Sequence, residues 1–598
     1  MPSRTLYNMF LETVSAHGDS PAVGTRKTRT SPVETLSYNQ LAALVLNMQR
    51  GLLSLGLKRG DRFALMFHDN RMEWAVADLA AQALGIITVP IYGTLPASQV
   101  QFYLQDSGAS AIFVSDSKQR TKVEEVRHNL ADLKAIISLE PADNSGGWTN
   151  YTDLLGQPGP TDEELRTLSE AVLPDDVATL IYTSGTTGDP KGAMLTHANM
   201  LQTCDGVITD HIADLGPGDV MLSFLPLSHI TERSGGQYMP IRMGACIVYS
   251  LGLIALTDEI QKSVRPTVLL CVPRLWESMH ERFQDAVQKF EPRRRRLVEW
   301  AIKIGEEVAA LRSHGKPIGP LLIAQHRVAE KLVLCKVREQ VTGGRLRYCV
   351  SGGAPLKPAT ARFFLGIGIQ ILEGYGMSEC NIIAINRPNR QRIGTVGNLM
   401  PGTEIKFAQD GEILVRGQGR TPGYFNQPEA TAHTIDEEGW FHTGDIGSMS
   451  PDGYLTITDR KKDLLVLSNG KKVAPQLIEA QLKSSPYISE AVLFGDNQPT
   501  VVALLVPSFE KLQEWAQANS FSTDSLSELL RIPEVTKLFK KEIENCSQNL
   551  ADFERVRDFR LVPKQFGIES GELTPTLKVK RKFVANKYSD LIASMMRS

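Results

Sequence analysis

From the N-terminus to about residue 440, short β-branched and aliphatic runs recur at Arg62–Met66, Gly85–Pro90, Ala111–Val114, Ala178–Tyr182, Cys246–Tyr249, Val268–Val272, Arg347–Ser351 and Gln370–Glu373. The stretches between them carry the three-to-four-residue apolar spacing of amphipathic helices. Strands alternating with helices predict an α/β domain built on largely parallel sheets. Trp74–Tyr92 is the most apolar long stretch, and Asp78 interrupts it. Its alanines suit a buried helix running into a strand, and no membrane-spanning segment is expected. Met1–Pro21 reads as an amphipathic helix around Leu6, Met9, Phe10, Leu11 and Val14, without the continuous apolar core of a signal peptide.

Two regions break this rhythm. Met279–Val341 is nearly all helical in pattern, strongly charged, and contains the run Arg293–Arg296. Such a run is either the solvated face of a helical insert or a contact with anionic lipid. After Gly411 the texture changes to short strands between turns, at Gly411–Gly417 and Gly453–Ile457. From Arg460 a smaller α+β stretch follows, with a helix near Pro475–Ser484 and strands near Glu490–Phe494 and Val501–Val506. A boundary at Asp459–Asp463 divides the chain into residues 1–459 and 460–598, and 598 residues are ample for two cores. No internal repeat is evident.

Composition narrows the class. Hydrophobic content of 42% and charged content of 22% suit a water-soluble globular enzyme, and a net charge of -2 gives no general attraction for nucleic acid. The seven cysteines are scattered, without a CxxC pair or histidines at zinc spacing, which suits a reduced, cytoplasmic compartment.

The strongest local signal follows the strand Ala178–Tyr182: Thr183-Ser184-Gly185-Thr186-Thr187-Gly188-Asp189-Pro190-Lys191-Gly192. Glycines that let consecutive N–H groups converge, hydroxyl donors and a lysine together make a bed for phosphate oxygens. A Walker loop would place Gly-Lys-Ser/Thr at a helix start, and here Lys191 sits between Pro190 and Gly192. Four further segments offer matching chemistry. Gly374-Tyr375-Gly376-Met377-Ser378-Glu379, expected just beyond an apolar strand, combines an aromatic face, a hydroxyl and a carboxylate; a surface turn with a capping glutamate is the alternative. Ser351-Gly352-Gly353-Ala354-Pro355 ends another strand with two glycines that would let a flat ring lie on the backbone. Trp440-Phe441-His442-Thr443-Gly444-Asp445 ends in a carboxylate able to accept two hydrogen bonds from a vicinal diol. Leu225-Pro226-Leu227-Ser228-His229-Ile230-Thr231-Glu232-Arg233 supplies an isolated histidine in an apolar setting.

In order and spacing these segments resemble the adenylate-forming superfamily, which includes acyl-CoA synthetases, luciferases and peptide-synthetase adenylation domains, over nearly the whole chain. The resemblance implies an acyl-adenylate-forming fold, with a large N-terminal domain of stacked α/β sheets and a smaller, mobile α+β C-terminal domain. It implies that Thr183–Gly188 and Lys191 hold phosphate, that Gly352, Gly353 and Ala354 wall the adenine pocket, and that Tyr375 packs on adenine beside Gly374 and Gly376. Ser378 would contact phosphate, Glu379 with Thr183 would hold Mg²⁺, Asp445 would bind the ribose hydroxyls, and Arg460 would be a second contact to ribose or phosphate. Leu225–Arg233 resembles the long-chain fatty acyl-CoA synthetase branch, with His229 near the substrate carboxylate. Lys462 falls at the hinge and Gly470 on the loop used in thioester formation. Lys578, in Leu573-Thr574-Pro575-Thr576-Leu577-Lys578-Val579-Lys580-Arg581, matches the catalytic lysine, with Lys580 and Lys582 as the competing candidates; the usual pattern has glycine before the lysine, where this chain has Leu577.

The function so implied is ATP-dependent conversion of a medium- or long-chain fatty acid to acyl-AMP, then transfer to coenzyme A. ATP, Mg²⁺ and coenzyme A are the expected cofactors and co-substrates. A homodimer, peripheral membrane contact and no nucleic acid partner complete the expectation. A ligase delivering the acyl group to a carrier protein and a non-catalytic binding homologue are the alternatives.

Overall fold

A computed structural model describes residues 4–142, 146–183, 190–313, 315–388, 390–521, 525–548, 550–567, 570–574 and 578–596. The chain forms two compact units. The larger comprises Met1–Lys406, Leu414–His442 and Met449–Leu455; the smaller comprises Phe407–Ile413, Thr443–Ser448 and Thr456–Ser598.

The larger unit holds two broad sheets. The seven-stranded sheet runs Trp148–Asn150, Ala135–Ser138, Ala111–Val114, Arg62–Phe67, Ile87–Tyr92, Val177–Thr183, Lys191–Thr196. All of its neighbours pair in parallel except the last two strands. The nine-stranded sheet runs from Asn398–Leu399 through Asn381–Ile385, Ile371–Met377, Tyr348–Ser351, Val268–Cys271, Val220–Ser223, Cys246–Tyr249 and Pro21–Thr25 to Glu34–Ser37. Its interior is parallel and its edges antiparallel. Strands such as Ala111–Val114 and Val268–Cys271 are buried at every position, as parallel strands covered on both faces must be.

The expected helix-into-strand of Trp74–Tyr92 is present as Met72–Ala83 followed by Ile87–Tyr92, with every residue from Trp74 to Ala83 buried. The N-terminal helix spans Leu6–His17, capped by the Thr5 hydroxyl. The charged insert is built mainly of helices: Pro273–Gln288, Pro292–Ser313, Pro320–Ala329, a π-helical turn at Glu330–Leu334, and Cys335–Thr342. Among the described residues no helix is long and apolar enough to cross a membrane. All seven cysteines carry free thiols.

One expectation needs correction. Gly374–Met377 is not a flexible stretch beyond its strand. It continues the strand Ile371–Met377, whose first half pairs in parallel with Tyr348–Ser351 and whose second half pairs antiparallel with Asn381–Ile385. The register slips between Tyr375 and Gly376, and a Cβ on Gly376 would lie 2.2 Å from the Asn381 carbonyl oxygen. This glycine serves a close backbone approach rather than mobility.

In the smaller unit, Ile488–Phe494, Val501–Pro507 and Val556–Leu561 form a three-stranded sheet. All seven residues of the central strand are buried. Val501, Ala503 and Leu505 pack with the helices Pro475–Leu482, Phe509–Ala518 and Pro533–Cys546, while Val502, Leu504 and Val506 pack with Arg581–Lys587 and Ser589–Met596. The two-residue period of a strand thus builds two cores from one segment.

Candidate active site

In the larger unit, antiparallel pairing of Val177–Thr183 with Lys191–Thr196 sets Thr183 opposite Lys191. Ser184, Gly185, Thr186, Thr187 and Gly188 lie outside the described residues. The turn after Met377 brings Glu379 to the same place. Its buried carboxylate accepts the Thr183 hydroxyl at 3.4 Å and the Tyr424 hydroxyl at 3.0 Å on the same oxygen, Oε1. Lys191 Nζ stands 5.3 Å from the centre of the Tyr424 ring. Thr183 and Lys191 therefore converge with Glu379, which lies nearly two hundred residues further along the chain.

Tyr424 escapes a reading of the sequence. A bridge from Tyr424 to Ala193 and the hydrogen bond from Phe425 N to Gly192 O hold it against the strand that Lys191 opens. Burial and the adjoining Glu379 raise its phenol pKa, so it stays a donor to that carboxylate. The turn-like Thr421-Pro422-Gly423-Tyr424 is the only local signal.

The segment expected from the sequence to wall adenine lies alongside. Parallel pairing of Tyr348–Ser351 with Ile371–Met377 sets Gly352 beside Gly374, 3.6 Å from an added Cβ to the Gly374 carbonyl oxygen. Gly353 is left-handed, with φ +84°, and Gly353 and Ala354 are exposed while Tyr375 and Ser378 are half-buried. Behind this wall Glu373 is buried and accepts from Leu356 N at 3.4 Å; burial raises its pKa to about 7.

The segment Leu225–Arg233 is tied into a buried polar network. Asn70 Nδ2 donates to Ser223 Oγ at 2.9 Å and to Leu225 O at 2.6 Å, and Asn70 Oδ1 accepts from Leu227 N at 3.2 Å. Ser223 Oγ donates in turn to Glu232 Oε1 at 2.6 Å. Glu232 is fully buried, its second oxygen has no partner among the described residues, and burial raises its pKa to about 8. His229 is half-buried; its Nδ1 accepts from Thr231 N at 3.2 Å, which places the proton of the neutral ring on Nε2. Arg233 is fully buried, ion-paired with Asp78, and bonded to Thr179 Oγ1 at 2.5 Å and Thr88 Oγ1 at 2.6 Å. Thr179 lies on the strand that leads to Thr183, so the network touches the element carrying the phosphate loop.

In the smaller unit, Gly444, at φ +69°, turns the strand Phe441–Met449 so that Asp445 is buried and meets Arg460 Nε at 3.1 Å. Lys578 lies next to a Leu573–Val579 bridge, with Thr574 N donating to Lys578 O at 2.8 Å and Lys578 N to Thr574 Oγ1 at 3.0 Å. Leu577 lies outside the described residues. The Lys578 side chain reaches solvent, yet the protein around its ammonium lowers its pKa, helped by Arg460 and Lys462 and opposed by Asp445. Lys462 is exposed; its neighbour Lys461 is tied to Asp410 at 2.6 Å and Glu412 at 2.8 Å. Gly470, at φ +79° with open space about it, sits in the turn between Leu465–Val466 and Lys472–Val473.

The chain is similar to known proteins over nearly its whole length. Residues 10–425 match the family described as AMP-binding enzyme, and residues 462–598 match the AMP-binding enzyme C-terminal domain. A long-chain-fatty-acid–CoA ligase of Mycobacterium bovis, FadD15, is 37% identical over 567 residues, covering 93% of this chain and 91% of that protein. Long-chain-fatty-acid–CoA ligase 1 of Homo sapiens is 33% identical over 615 residues, covering 98% of this chain and 86% of that one. Among solved structures, an anthranilate CoA ligase in complex with anthranoyl-AMP superposes with a TM-score of 0.74 at 20% identity, covering 99% of both chains. The adenylation domain of a Mycobacterium chelonae carboxylate reductase gives 0.76 at 22% identity, covering 100% of this chain and 92% of that one. The fold is the α/β adenylate-forming fold, with a large N-terminal and a smaller C-terminal domain.

Proposed function

The chain belongs to the AMP-binding enzyme family, and from that membership we propose that it is a long-chain fatty acid–CoA ligase that forms acyl-AMP from ATP and then acyl-CoA. The observation that carries this reading is the convergence of Thr183, Lys191, Tyr424 and Glu379. The relatives named as long-chain-fatty-acid–CoA ligases cover nearly the whole chain.

In the first half-reaction a carboxylate oxygen of the fatty acid attacks the α-phosphorus of ATP and pyrophosphate leaves. Both reactants are anionic. Lys191 and the donors of residues 183–188 offset the charge on the triphosphate, and Lys578 stabilises the charge that grows on the pentacovalent phosphorus. Glu379 and the Thr183 hydroxyl present hard oxygen donors side by side, the set that suits Mg²⁺. Held there, that ion would supply positive charge to offset the triphosphate. Gly352, Gly353 and Ala354 face adenine with Gly374, Tyr375 and Gly376, Ser378 contacts phosphate, Asp445 takes the ribose hydroxyls, and Arg460 contacts ribose or phosphate. His229 orients the carboxylate through its Nε2–H.

In the second half-reaction the coenzyme A thiol loses its proton, sulfur attacks the acyl carbonyl, and AMP leaves. We place the hinge at Asp459–Asp463, ahead of the segment that carries Lys578. Rotation about Lys462 then withdraws Lys578 and brings in the turn at Gly470, whose missing side chain leaves room for the pantetheine arm. The same reading makes the protein cytoplasmic and able to form a homodimer, with a peripheral contact to anionic membrane through the segment that holds Arg293–Arg296.

A pyrophosphate-release assay across carboxylic acids of graded length, with and without coenzyme A, tests the proposal. Release that depends on a long-chain acid, with AMP turnover that depends on coenzyme A, supports it. Acyl-AMP formation indifferent to coenzyme A would point to a carrier-protein acceptor, and no AMP from any acid would leave a binding homologue.

A further inference from the structure

The helix Pro320–Ala329 and its continuation to Thr342 are apolar on two sides. The inner side packs into the core of the insert through Leu322, Ala329, Val333 and Leu334. The outer side ought to be polar, yet Leu321, Val328 and Leu332 are exposed by 72%, 49% and 48%. They recur at the seven- and four-residue spacings that share one helix face. The π-helical turn at Glu330–Leu334 keeps Val333 and Leu334 both inward while Lys331 and Leu332 stay out. Neither propensity nor core packing accounts for three large aliphatic side chains aligned in water, and contiguous exposed apolar surface of this kind marks a contact.

The border of the stripe names the occupant. Arg327, Lys331 and Lys336 are exposed beside it, and among the described residues none of the three forms an ion pair. Of the two acids in this run, Glu330 is neutralised locally by both terminal guanidinium nitrogens of Arg338, and Glu339 lies at the far end. At the far end of the stripe, Lys336 and Lys262 line a surface depression of about 540 Å³ together with Gln261, Glu339 and Gln340. Aliphatic side chains flanked by cations that can reach upward, next to a lysine-lined hollow, match the two layers of an anionic leaflet: acyl chains below and phosphate headgroups above. A protein partner would call for a more polar, mixed-charge rim.

We propose that Leu321, Val328 and Leu332 insert into an anionic membrane surface while Arg327, Lys331, Lys336 and Lys262 engage lipid phosphates, so that the enzyme collects its substrate from the bilayer. This rests on the peripheral contact proposed above and moves its centre from the arginine run to the outer face of Pro320–Ala329 and the turn that follows.

The test is co-sedimentation of the full chain with vesicles of phosphatidylcholine alone or with about one-third phosphatidylglycerol. Binding to the anionic vesicles is expected, weakening as salt rises. Val328→Glu/Leu332→Glu should lower the bound fraction by about tenfold or more, and Lys262→Glu/Lys336→Glu should lower it and flatten the salt dependence. Both should keep the wild-type Tm and turnover of a water-soluble medium-chain acid. Wild-type binding by the two apolar-face substitutions would overturn the proposal. If they bind normally while replacement of Arg293–Arg296 by glutamine abolishes binding, the peripheral contact stands and the stripe does not. Failure of the wild type to bind either vesicle would remove both. A wild-type dimer that Leu332→Glu converts to a monomer would assign the stripe to a second copy of the chain and overturn the lipid assignment.

Discussion

Arg233 and Lys578 are both cations in segments that resemble the acyl-activating machinery, and they are held in opposite ways. Arg233 is fully buried, its guanidinium shared among Asp78, Thr88 and Thr179 and flanked by the Trp74 and Tyr238 rings. Lys578 is exposed, and its backbone is held by Thr574 beside the Leu573–Val579 bridge. A charge so thoroughly desolvated cannot leave its partners without a large penalty, so Arg233 serves one fixed arrangement. A lysine whose neighbours already lower its pKa, and whose side chain reaches solvent, can be used in one step and withdrawn from the next. The contrast separates what must be permanent in such an enzyme from what must be temporary.

The largest effect should come from breaking the permanent half. Arg233→Met strands Asp78 in the core and should destabilise the protein by about 3–5 kcal/mol, read as a drop in Tm. Pairing it with Asp78→Leu should recover much of that loss, because neither charge is then left alone. Lys578→Ala should leave Tm unchanged and slow pyrophosphate release by about a hundredfold to a thousandfold. Thioester formation from supplied acyl-AMP should be largely spared. Equal loss of both half-reactions would erase the distinction drawn between the two cations.

Smaller effects sharpen the comparison. Tyr424→Phe removes one donor to Glu379 and should cost roughly 1–1.5 kcal/mol in the adenylation step, close to tenfold in kcat/KM for ATP. Glu232→Gln should alter the pH profile of stability rather than its maximum. The folded-state pKa of Glu232 is raised from 4.5 to about 8, so the folded protein holds a proton that the unfolded chain has released. That contribution is fully present below about pH 4.5 and is lost progressively as pH rises to about 8. The glutamine variant should show a flatter decline of stability across that window in denaturant titrations.

Much of this was legible in the chain because short-range rules governed it. The β-branched runs appear as strands within a few residues of their expected ends, and Trp74–Tyr92 is the buried helix and strand that its alanines imply. The proximity of Thr183 to Glu379 followed only from resemblance, and the structure supplies the contact. What stayed hidden depends on long-range packing. Tyr424 joins the site through a bridge to Ala193, more than two hundred residues away. Gly374–Met377 looked like a loose turn because glycine is usually read as freedom, whereas Gly376 is required by the close Asn381 carbonyl. Asp78 reads as an interruption of an apolar helix until its partner Arg233 is known. The outer stripe of Pro320–Ala329 was masked by a conspicuous run of arginines earlier in the insert.

The central claim is that a fatty carboxylate attacks the α-phosphorus of ATP at the site built around Thr183, Lys191 and Glu379. Single turnover with a fatty acid carrying heavy oxygen in its carboxylate reads this directly by mass spectrometry of the nucleotide and phosphate products. One heavy oxygen should appear in AMP and none in pyrophosphate, and Glu379→Gln should suppress the labelled AMP. Label in inorganic phosphate or pyrophosphate, or unlabelled AMP, would contradict the account.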